Sequence, residues 1–308
     1  MDMLRQKTEN LINICRREAE RTRVVVTGHD NPDADSVISA VMMKRLLAAG
    51  GVPSVIAFPT PPDNVTLRDM KTLCVWNDAF VRPFADGEVL LLVDHHKTFY
   101  KNEVLGCVDH HTTPPEPDFE FCYVAKASSC GKMIYDMMCA CGVATELDER
   151  LALYSVYLDT QSCKSSKFKN WDAEWIAACI EKYGLDAGEL EKMGYCLNSP
   201  DEPADVVAMY AYKRYEFGGA VCASTAIQID VADGAWDGVI VQALRYLSDV
   251  TLREGYRAWA FVVNKPEISR SDIYWIYPDG RVERLELDRL ASRSRDVIPV
   301  VSTIYLNE

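Results

Sequence analysis

The chain has 308 residues, of which 48% are hydrophobic and 26% are charged. This composition excludes a disordered or fibrous chain, and the length exceeds what one hydrophobic core usually serves, so we expect two domains. The formal net charge of -13 disfavours long nucleic acids as partners, because binding them requires a basic surface.

The first part of the chain alternates helical segments with short apolar strands. An amphipathic helix runs to about Arg21, the β-branched segment Val24–Thr27 is typical of a buried strand, and a loop over residues 29–35 leads to a helix over 36–49. Further strands are predicted at 52–57, 89–93 and 106–108, and further helices at 129–141 and 148–159. This alternation favours an α/β fold, with a mainly parallel sheet covered by helices on both faces.

The second part of the chain begins after a predicted connection between domains. Helices over 171–182 and 187–194 precede residues 197–203, which are rich in Pro, Asn, Ser and acidic residues, as exposed linkers are. Beyond this linker, strands are predicted at 220–229, 239–241, 258–263, 273–277 and 282–287, with a helix near 241–254. We therefore expect a catalytic domain over residues 1–197 and a smaller mixed α/β domain over 206–308.

The eleven cysteines do not predict a disulfide scaffold. Their number is odd, no Cys-x-x-Cys pair occurs, and no secretory leader precedes them. The longest apolar runs, such as Val89–Val93, are far shorter than the roughly 20 residues that a membrane span needs. These features favour free thiols, a cytoplasmic location and no membrane partner.

The histidines occur in an unusual pattern. All five lie in three loops that follow predicted strands, and each loop also contains aspartate. The five are His29, His95, His96, His110 and His111. In a parallel sheet the loops after the carboxyl ends of strands form the ligand-binding edge. A structural role for a single histidine is common, but it does not explain why all five are clustered in this way.

The residues in these loops are suited to binding metal ions. His29, Asp33 and Asp35 lie within seven residues of one another, and Asp94 and His110 follow later strands. Imidazole and carboxylate ligands suit Mn²⁺, with Mg²⁺ or Co²⁺ as alternatives, whereas a structural zinc site would use some of the cysteines. The alternative is that Asp35 or Ser36 only caps the next helix, which would leave His29 and Asp33 unexplained.

Four motifs in order resemble the DHH phosphoesterase superfamily, and within it the family II, manganese-dependent inorganic pyrophosphatases and related exopolyphosphatases. The motifs are Gly-His-Asp-Asn-Pro-Asp-Ala-Asp-Ser over 28–36, Leu-Val-Asp-His-His over 92–96, Val-Asp-His-His over 108–111 and Leu-Asp-Thr over 158–160. The resemblance implies an amino-terminal DHH domain, a smaller associated domain and an active site between them. It also implies a homodimer.

The resemblance further implies roles for individual residues. One metal ion would be bound by His29, Asp33 and Asp94, and a second by Asp35, Asp94, His110 and Asp159, so that Asp94 bridges the two. Asp94 and His111 are the catalytic candidates, and the residues expected to bind substrate are His111, Lys213, Arg293 and Arg295. The residues expected to orient the metal ligands are Asp109, His95 and His96.

The implied reaction is hydrolysis of a phosphoanhydride, in pyrophosphate or a short polyphosphate, by water activated between two Mn²⁺ ions. Three departures bear on the substrate: His96 replaces the usual asparagine, Ser294 replaces the usual lysine, and an additional helix precedes the first strand. A second hypothesis is a phosphodiesterase or phosphatase acting on short oligonucleotides, cyclic dinucleotides or nucleotide phosphates. Such relatives carry Gly-Gly-Gly-His, whereas here Ala220 follows Gly218 and Gly219. A third hypothesis is a metal-binding regulatory protein without activity.

Overall fold

The computed structural model describes residues 2–96, 100–111, 118–217, 219–232 and 234–304. These residues form two compact units. Unit 1 contains the described residues up to Cys163 together with Lys167–Gly194, and unit 2 contains Lys164–Ser166 with the described residues from Tyr195 onward. The domain boundaries proposed from the sequence are 1–197 and 206–308.

Unit 1 contains a five-stranded sheet in which all strands are parallel, in the order β2-β1-β3-β4-β5. Its strands are β1 Val24–Thr27, β2 Ser54–Ile56, β3 Val89–Val93, β4 Val104–Asp109 and β5 Phe121–Val124. Its helices are α1 Asp2–Ala19, α2 Ala34–Ala49, α3 Asn64–Thr72, α4 Cys130–Ala140, α5 Glu146–Asp159, α6 Ala173–Tyr183 and α7 Ala187–Gly194. The predicted α/β class, with a parallel sheet flanked by helices, is confirmed.

The centre of the sheet in unit 1 is buried because strands β1 and β3 are almost entirely apolar, as expected for parallel strands. All residues of β1 and β3 are buried. Val25, Leu90 and Cys107 pack on one face with side chains from the connecting segments. Helices α2, α4 and α5 pack against one another. Helix α2 is buried around most of its surface, which places its first turn inside the unit.

Unit 2 contains a mixed sheet in the order β10-β9-β8-β7-β6, in which only β7 and β8 are parallel neighbours among the described strands. Its elements are α8 Ala204–Ala208, β6 Lys213–Phe217, β7 Ala220–Gln228, α9 Trp236–Arg253, β8 Ala258–Lys265, β9 Arg270–Ile276, β10 Val282–Leu287 and α10 Ile298–Ile304. The smaller mixed α/β unit predicted from the sequence is confirmed.

One predicted strand in unit 2 is wrong. Residues 239–241 lie inside helix α9 rather than in a strand. The β-branched run there suggested a strand, but the buried residues Ile240, Ala243, Leu247 and Val250 recur at helical spacing. No helix among the described residues is both long and apolar enough to cross a membrane.

Glu149 connects the first turn of α5 to two neighbouring helices. Its carboxylate accepts hydrogen bonds from the hydroxyl of Tyr135 at 2.9 Å, from Lys182 Nζ at 2.7 Å and from the hydroxyl of Tyr183 at 2.5 Å. Burial raises the pKa of Glu149, but the three donors outweigh burial and lower it to about 2. The folded-state pKa is therefore below the ordinary value of 4.5. The hydrogen-bonded carboxylate of Glu149 therefore stabilises the folded state fully above pH 4.5, and this contribution is lost as the pH falls through about 2.

Replacing Glu149 with glutamine should lower the free energy of unfolding by about 1–3 kcal/mol at neutral pH. The difference from the wild-type protein should shrink as the pH falls below about 4.5, because the wild-type carboxylate then loses its advantage. Urea denaturation at neutral and at acidic pH measures both effects. Glu146→Gln, at an exposed position in the same first turn, is the matched control and should change little. If Glu149→Gln lowered the free energy of unfolding equally at the two pH values, the ionisation of Glu149 would not be the source of the stabilisation.

Candidate metal centre

The candidate site lies at the carboxyl ends of three neighbouring strands. His29 follows β1, Asp94 follows β3 directly, and Asp109 ends β4 and is followed by His110. Strands β1, β3 and β4 are adjacent in the sheet, so their loops meet at one edge.

Two helices supply the other carboxylates. Asp33 is the N-cap of α2 and accepts a hydrogen bond from the backbone N–H of Ser36 at 3.1 Å, while Asp35 lies in the first turn of that helix. Asp159 is the last residue of α5, which packs against α2. The capping role that the sequence suggested for Asp35 or Ser36 therefore belongs to Asp33, and this does not remove Asp33 from the site.

The first group of side chains consists of His29, Asp33 and Asp94, whose potential ligand atoms lie within 4.8 Å of one another. His29 Nε2 is 3.5 Å from Asp33 Oδ2 and 3.6 Å from Asp94 Oδ2. His29 Nδ1 lies 2.9 Å from the backbone carbonyl of Asp30, to which it can donate. In that tautomer the ring presents its Nε2 lone pair to the two carboxylates.

The second group consists of Asp35, His110 and Asp159, within the same 4.8 Å limit. His110 Nε2 is 3.6 Å from Asp35 Oδ2 and 3.6 Å from Asp159 Oδ2. His110 Nδ1 donates to the carbonyl of Ala127 at 3.3 Å, so this ring is also anchored by Nδ1 and faces the carboxylates with Nε2. Such anchoring is typical of metal-binding histidines.

Asp94 lies between the two groups. Its Oδ2 atom faces His29 and accepts a hydrogen bond from Ser36 Oγ at 2.7 Å, whereas its Oδ1 atom is 3.2 Å from His110 Nε2. The side chain is 1% exposed, which excludes bulk water from the contact. One carboxylate thus turns one oxygen towards each group, as a carboxylate that bridges two metal ions does.

Three buried atoms of these groups make no hydrogen bond within the described part of the chain, namely Asp94 Oδ1, His110 Nε2 and Asp159 Oδ2. A buried polar atom without a hydrogen bond costs about 1–3 kcal/mol, so three in one place require a reason. Coordination of divalent cations satisfies all three. The residues present therefore fit a pair of such ions.

The electrostatics of the site also favour cations. Burial and the charge of Asp94 raise the pKa of Asp35 to about 8. Burial lowers the pKa of His110, but the carboxylates of Asp94, Asp159 and Asp35 overcome burial and raise it to about 10. In both cases the neighbouring buried carboxylates disfavour a further negative charge and favour a positive one, so the site attracts cations.

Asp35 is held by the amino terminus of α4. Its Oδ2 atom accepts the backbone N–H of Cys130 at 2.7 Å, and its Oδ1 atom accepts the backbone N–H of Gly131 at 2.9 Å. The hydroxyls of Ser155 and Ser39 donate to Oδ1 at 2.6 and 3.2 Å. A helix amino terminus stabilises an anion, so these donors orient the carboxylate that faces His110.

Asp109 anchors two further histidines. Its Oδ2 atom is 2.5 Å from His96 Nδ1, and its Oδ1 atom accepts from both the backbone N–H and the Nδ1 of His111, at 3.0 and 2.9 Å. His96 is buried, whereas the His111 side chain is 42% exposed and lies 3.7 Å from Asp94 Oδ1. His95 is half-buried and its ring packs edge-on against that of His29.

The loops around the site contain non-glycine residues with positive φ. Asp94 has φ 61°, Asn31 has φ 53°, and the consecutive residues Gln161, Ser162 and Cys163 have φ values of 51°, 58° and 63°. This left-handed region costs side-chain-bearing residues roughly 1–2 kcal/mol each. Strained backbone of this kind concentrates at functional sites, where the surrounding structure holds it in place.

The basic residues predicted to bind substrate belong to unit 2. Lys213 is the exposed first residue of β6, and Arg293 donates a hydrogen bond to the carbonyl of Ala211, two residues before Lys213. Arg295 donates to the carbonyl of Leu290 at 2.8 Å and pairs with Asp296 at 3.3 Å. Arg293 thus lies beside the segment that leads to Lys213. The side chain of Ser294 lies outside the described residues.

Some residues of the site were not identified from the sequence. Lys167 Nζ contacts Asp159 Oδ1, and Ser36, Ser155 and Gly131 contact the aspartates from α2, α5 and α4. Burial lowers the pKa of Lys167, but the attraction of Asp159 and Asp33 raises it above its usual value. The sequence signal for these residues is Ser155, a polar residue one helical turn before Asp159 in an otherwise apolar segment.

Comparisons with known proteins agree with the motifs. Residues 23–165 match the model of the DHH family, N-terminal domain, whereas none of the curated proteins matches the chain. The structure is similar to that of a putative family II inorganic pyrophosphatase from Methanococcus jannaschii, with a TM-score of 0.75 and 18% identity over 92% of this chain and 99% of that chain. An exopolyphosphatase-related protein from Bacteroides fragilis aligns with a TM-score of 0.47 and 14% identity over 86% of this chain and 82% of that chain.

The resemblance to the DHH superfamily that the four motifs predicted is confirmed by the family match. The likeness to the Methanococcus jannaschii protein shows that the fold is shared over most of the chain. All six side chains of the two groups described above fall within the matched segment. Residues 23–165 are therefore similar to the N-terminal domain of the DHH family.

Proposed function

We propose that this protein is a dimetal phosphohydrolase that cleaves a phosphoanhydride bond, in inorganic pyrophosphate or a short polyphosphate. The observation that carries the proposal is the position of Asp94, which turns Oδ2 towards His29 and Oδ1 towards His110. Two imidazole–carboxylate groups joined by one shared carboxylate suit a pair of divalent ions.

One ion would be held by His29, Asp33 and Asp94, and the other by Asp94 with Asp35, His110 and Asp159. Oxygen and imidazole ligands suit Mn²⁺ best here, and Mg²⁺ or Co²⁺ are the alternatives. When bound, such a pair of ions activates a water molecule and stabilises negative charge on the phosphoryl oxygens.

His111 is proposed to contact the substrate. Asp109 holds its imidazole through Nδ1, and the ring is part-exposed beside Asp94. Nε2 is then the ring atom available to a phosphoryl oxygen, and in the imidazolium form it can donate a proton to the leaving oxygen. The carboxylate of Asp109 keeps the ring oriented.

Unit 2 is proposed to supply cationic substrate contacts through Lys213, Arg293 and Arg295. The usual lysine is replaced by Ser294 at one such position, which makes Arg295 the substitute that can preserve positive charge. A homodimer and a cytoplasmic location are part of the same proposal, as is a small phosphorylated substrate rather than a long nucleic acid.

A substrate panel tests the function. Metal-free protein is loaded with Mn²⁺ and supplied with pyrophosphate, tripolyphosphate or a 5′-phosphorylated dinucleotide, and orthophosphate and nucleotide products are measured. We expect orthophosphate from the two anhydrides, abolished by a chelator and restored by Mn²⁺. Cleavage of the dinucleotide with both anhydrides intact would favour a phosphodiesterase instead. Tight nucleotide binding without any turnover would favour a regulatory protein.

A further inference from the structure

Lys167 returns to the metal centre after a reversal of the chain. It lies eight residues beyond Asp159, and the left-handed turn of Gln161, Ser162 and Cys163 separates the two. The turn is held by the backbone N–H of Ser162, which donates to the carbonyl of Tyr157 at 2.8 Å. The result is an ion pair between Lys167 Nζ and Asp159 Oδ1.

Asp159 uses its two oxygens for different purposes. Oδ1 receives the ammonium of Lys167, whereas the buried Oδ2 makes no hydrogen bond and lies 3.6 Å from His110 Nε2. The ammonium therefore does not occupy the oxygen that faces the metal position. Lys167 also interacts electrostatically with Asp33 and Asp94, which belong to the other group of ligands. Its positive charge is thus close to both groups.

The positive charge of Lys167 can offset the negative charge of a phosphate bound at the metal centre. Four carboxylates, those of Asp33, Asp35, Asp94 and Asp159, neutralise two divalent ions, so a phosphate that binds there adds negative charge. The Lys167 side chain is 37% exposed, so solvent reaches it. An ammonium has three N–H bonds, so it can hold Asp159 and a phosphoryl oxygen at the same time.

We propose that Lys167 is a substrate-binding residue of the metal centre, which donates to Asp159 and to a non-bridging oxygen of the phosphoryl group that binds at the metal ions. This inference rests on the proposed function for the class of substrate. It assigns to unit 1 a phosphate-binding cation of its own, in addition to the basic residues proposed in unit 2.

The test compares Lys167→Gln with Lys182→Gln as a matched control. Lys182 pairs with Glu149 in the first turn of α5, and Asp159 lies ten residues further on, about 15 Å away along the helix. Calorimetric titration measures first Mn²⁺ binding to each metal-free protein, and then inorganic phosphate binding to each Mn²⁺-loaded protein. Neither measurement requires turnover, so the result can be interpreted even if the protein hydrolyses no anhydride.

Lys167→Gln should bind Mn²⁺ with an affinity within about threefold of the wild-type value, because all metal ligands are kept. It should bind phosphate at least about tenfold more weakly, because a charge-assisted hydrogen bond is lost. Lys167→Arg should recover part of that affinity, and Lys182→Gln should match the wild type. An unchanged phosphate affinity in Lys167→Gln would overturn the proposal. A loss of phosphate binding that only follows a loss of Mn²⁺ binding would also overturn it, since Lys167 would then act on the metal site alone.

Discussion

Asp94→Asn should lower the rate of orthophosphate release by about 1,000-fold or more, because several kcal/mol of transition-state stabilisation depend on both metal ions. An asparagine keeps one oxygen, so only one of the two groups retains an acceptor at this position. Its NH₂ group would face either His29 or His110, where the structure has a carboxylate oxygen. Initial rates at saturating Mn²⁺ measure the effect.

The same substitution should also weaken the metal-free fold. Burial and the charge of Asp33 raise the pKa of the Asp94 carboxyl, but its interactions with His110 and His111 outweigh both and lower that pKa below its ordinary value, so the folded site favours the ionised carboxylate. We expect thermal unfolding of Asp94→Asn in the presence of a chelator below the wild-type temperature. Asp288→Asn, at a side chain that is 92% exposed in unit 2, controls for the change of chemistry and should keep full activity. An Asp94→Asn enzyme within about tenfold of the wild-type rate would exclude a bridging role, because loss of a metal-bridging group costs more than that.

Gly131→Ala should disturb both stability and the metal centre. A Cβ atom at Gly131 would lie 2.4 Å from Ser155 Oγ and 2.8 Å from Ser155 Cβ, and 3.4 Å from Asp35 Oδ1. Ser155 must therefore move away from Asp35, to which it donates at 2.6 Å. We expect a loss of about 1–3 kcal/mol in the free energy of unfolding, because small-to-large changes in packed sites cause strain. We also expect Mn²⁺ binding to weaken by about 10–100-fold, as for other disturbed orienting contacts.

Gly238→Ala is the matched control for this prediction. Gly238 lies in α9, and an added Cβ would meet nothing within 4 Å. Alanine there should stabilise the protein by up to about 1 kcal/mol, because glycine is a poor helix former. Urea denaturation and Mn²⁺ titration of the two variants distinguish the steric strain expected at Gly131 from the gain in helix propensity expected at both positions. If Gly131→Ala resembled Gly238→Ala in both measurements, the close packing of α4 against α5 would be contradicted.

The parallel sheet could be predicted from the sequence because its central strands are continuous apolar runs. The predicted strand over 89–93 matches β3 at both ends, and the helix over 187–194 matches α7. Strand β6 has the polar sequence Lys-Arg-Tyr-Glu-Phe and was not predicted from the sequence. It is a strand because its backbone pairs with the antiparallel strand β7. Residues 239–241 show the opposite case, in which packing of a helical stripe overrides β-branched residues.

The site was predictable as far as its residues lie in local motifs. His29, Asp33 and Asp35 share one loop and helix start, and Asp94 and His110 follow apolar strands, so topology alone brings them to one edge. The contacts that orient them are not local. The backbone N–H groups of α4 reach Asp35 across 95 and 96 residues of sequence, and Ser155 reaches it across 120. Such contacts depend on how α2, α4 and α5 pack, which no sequence spacing encodes.

The number of metal ions bound per chain tests the dimetal centre most directly. Protein stripped with a chelator is equilibrated with Mn²⁺ at saturation, and bound metal and protein are both quantified, with electron paramagnetic resonance recorded on the same sample. We predict two Mn²⁺ ions per chain with a spin-coupled signal, because ions that share a carboxylate lie about 3.5–4 Å apart. Asp94→Asn should lose the coupling. A single uncoupled Mn²⁺ per chain at saturation, or none, would contradict a shared two-metal centre.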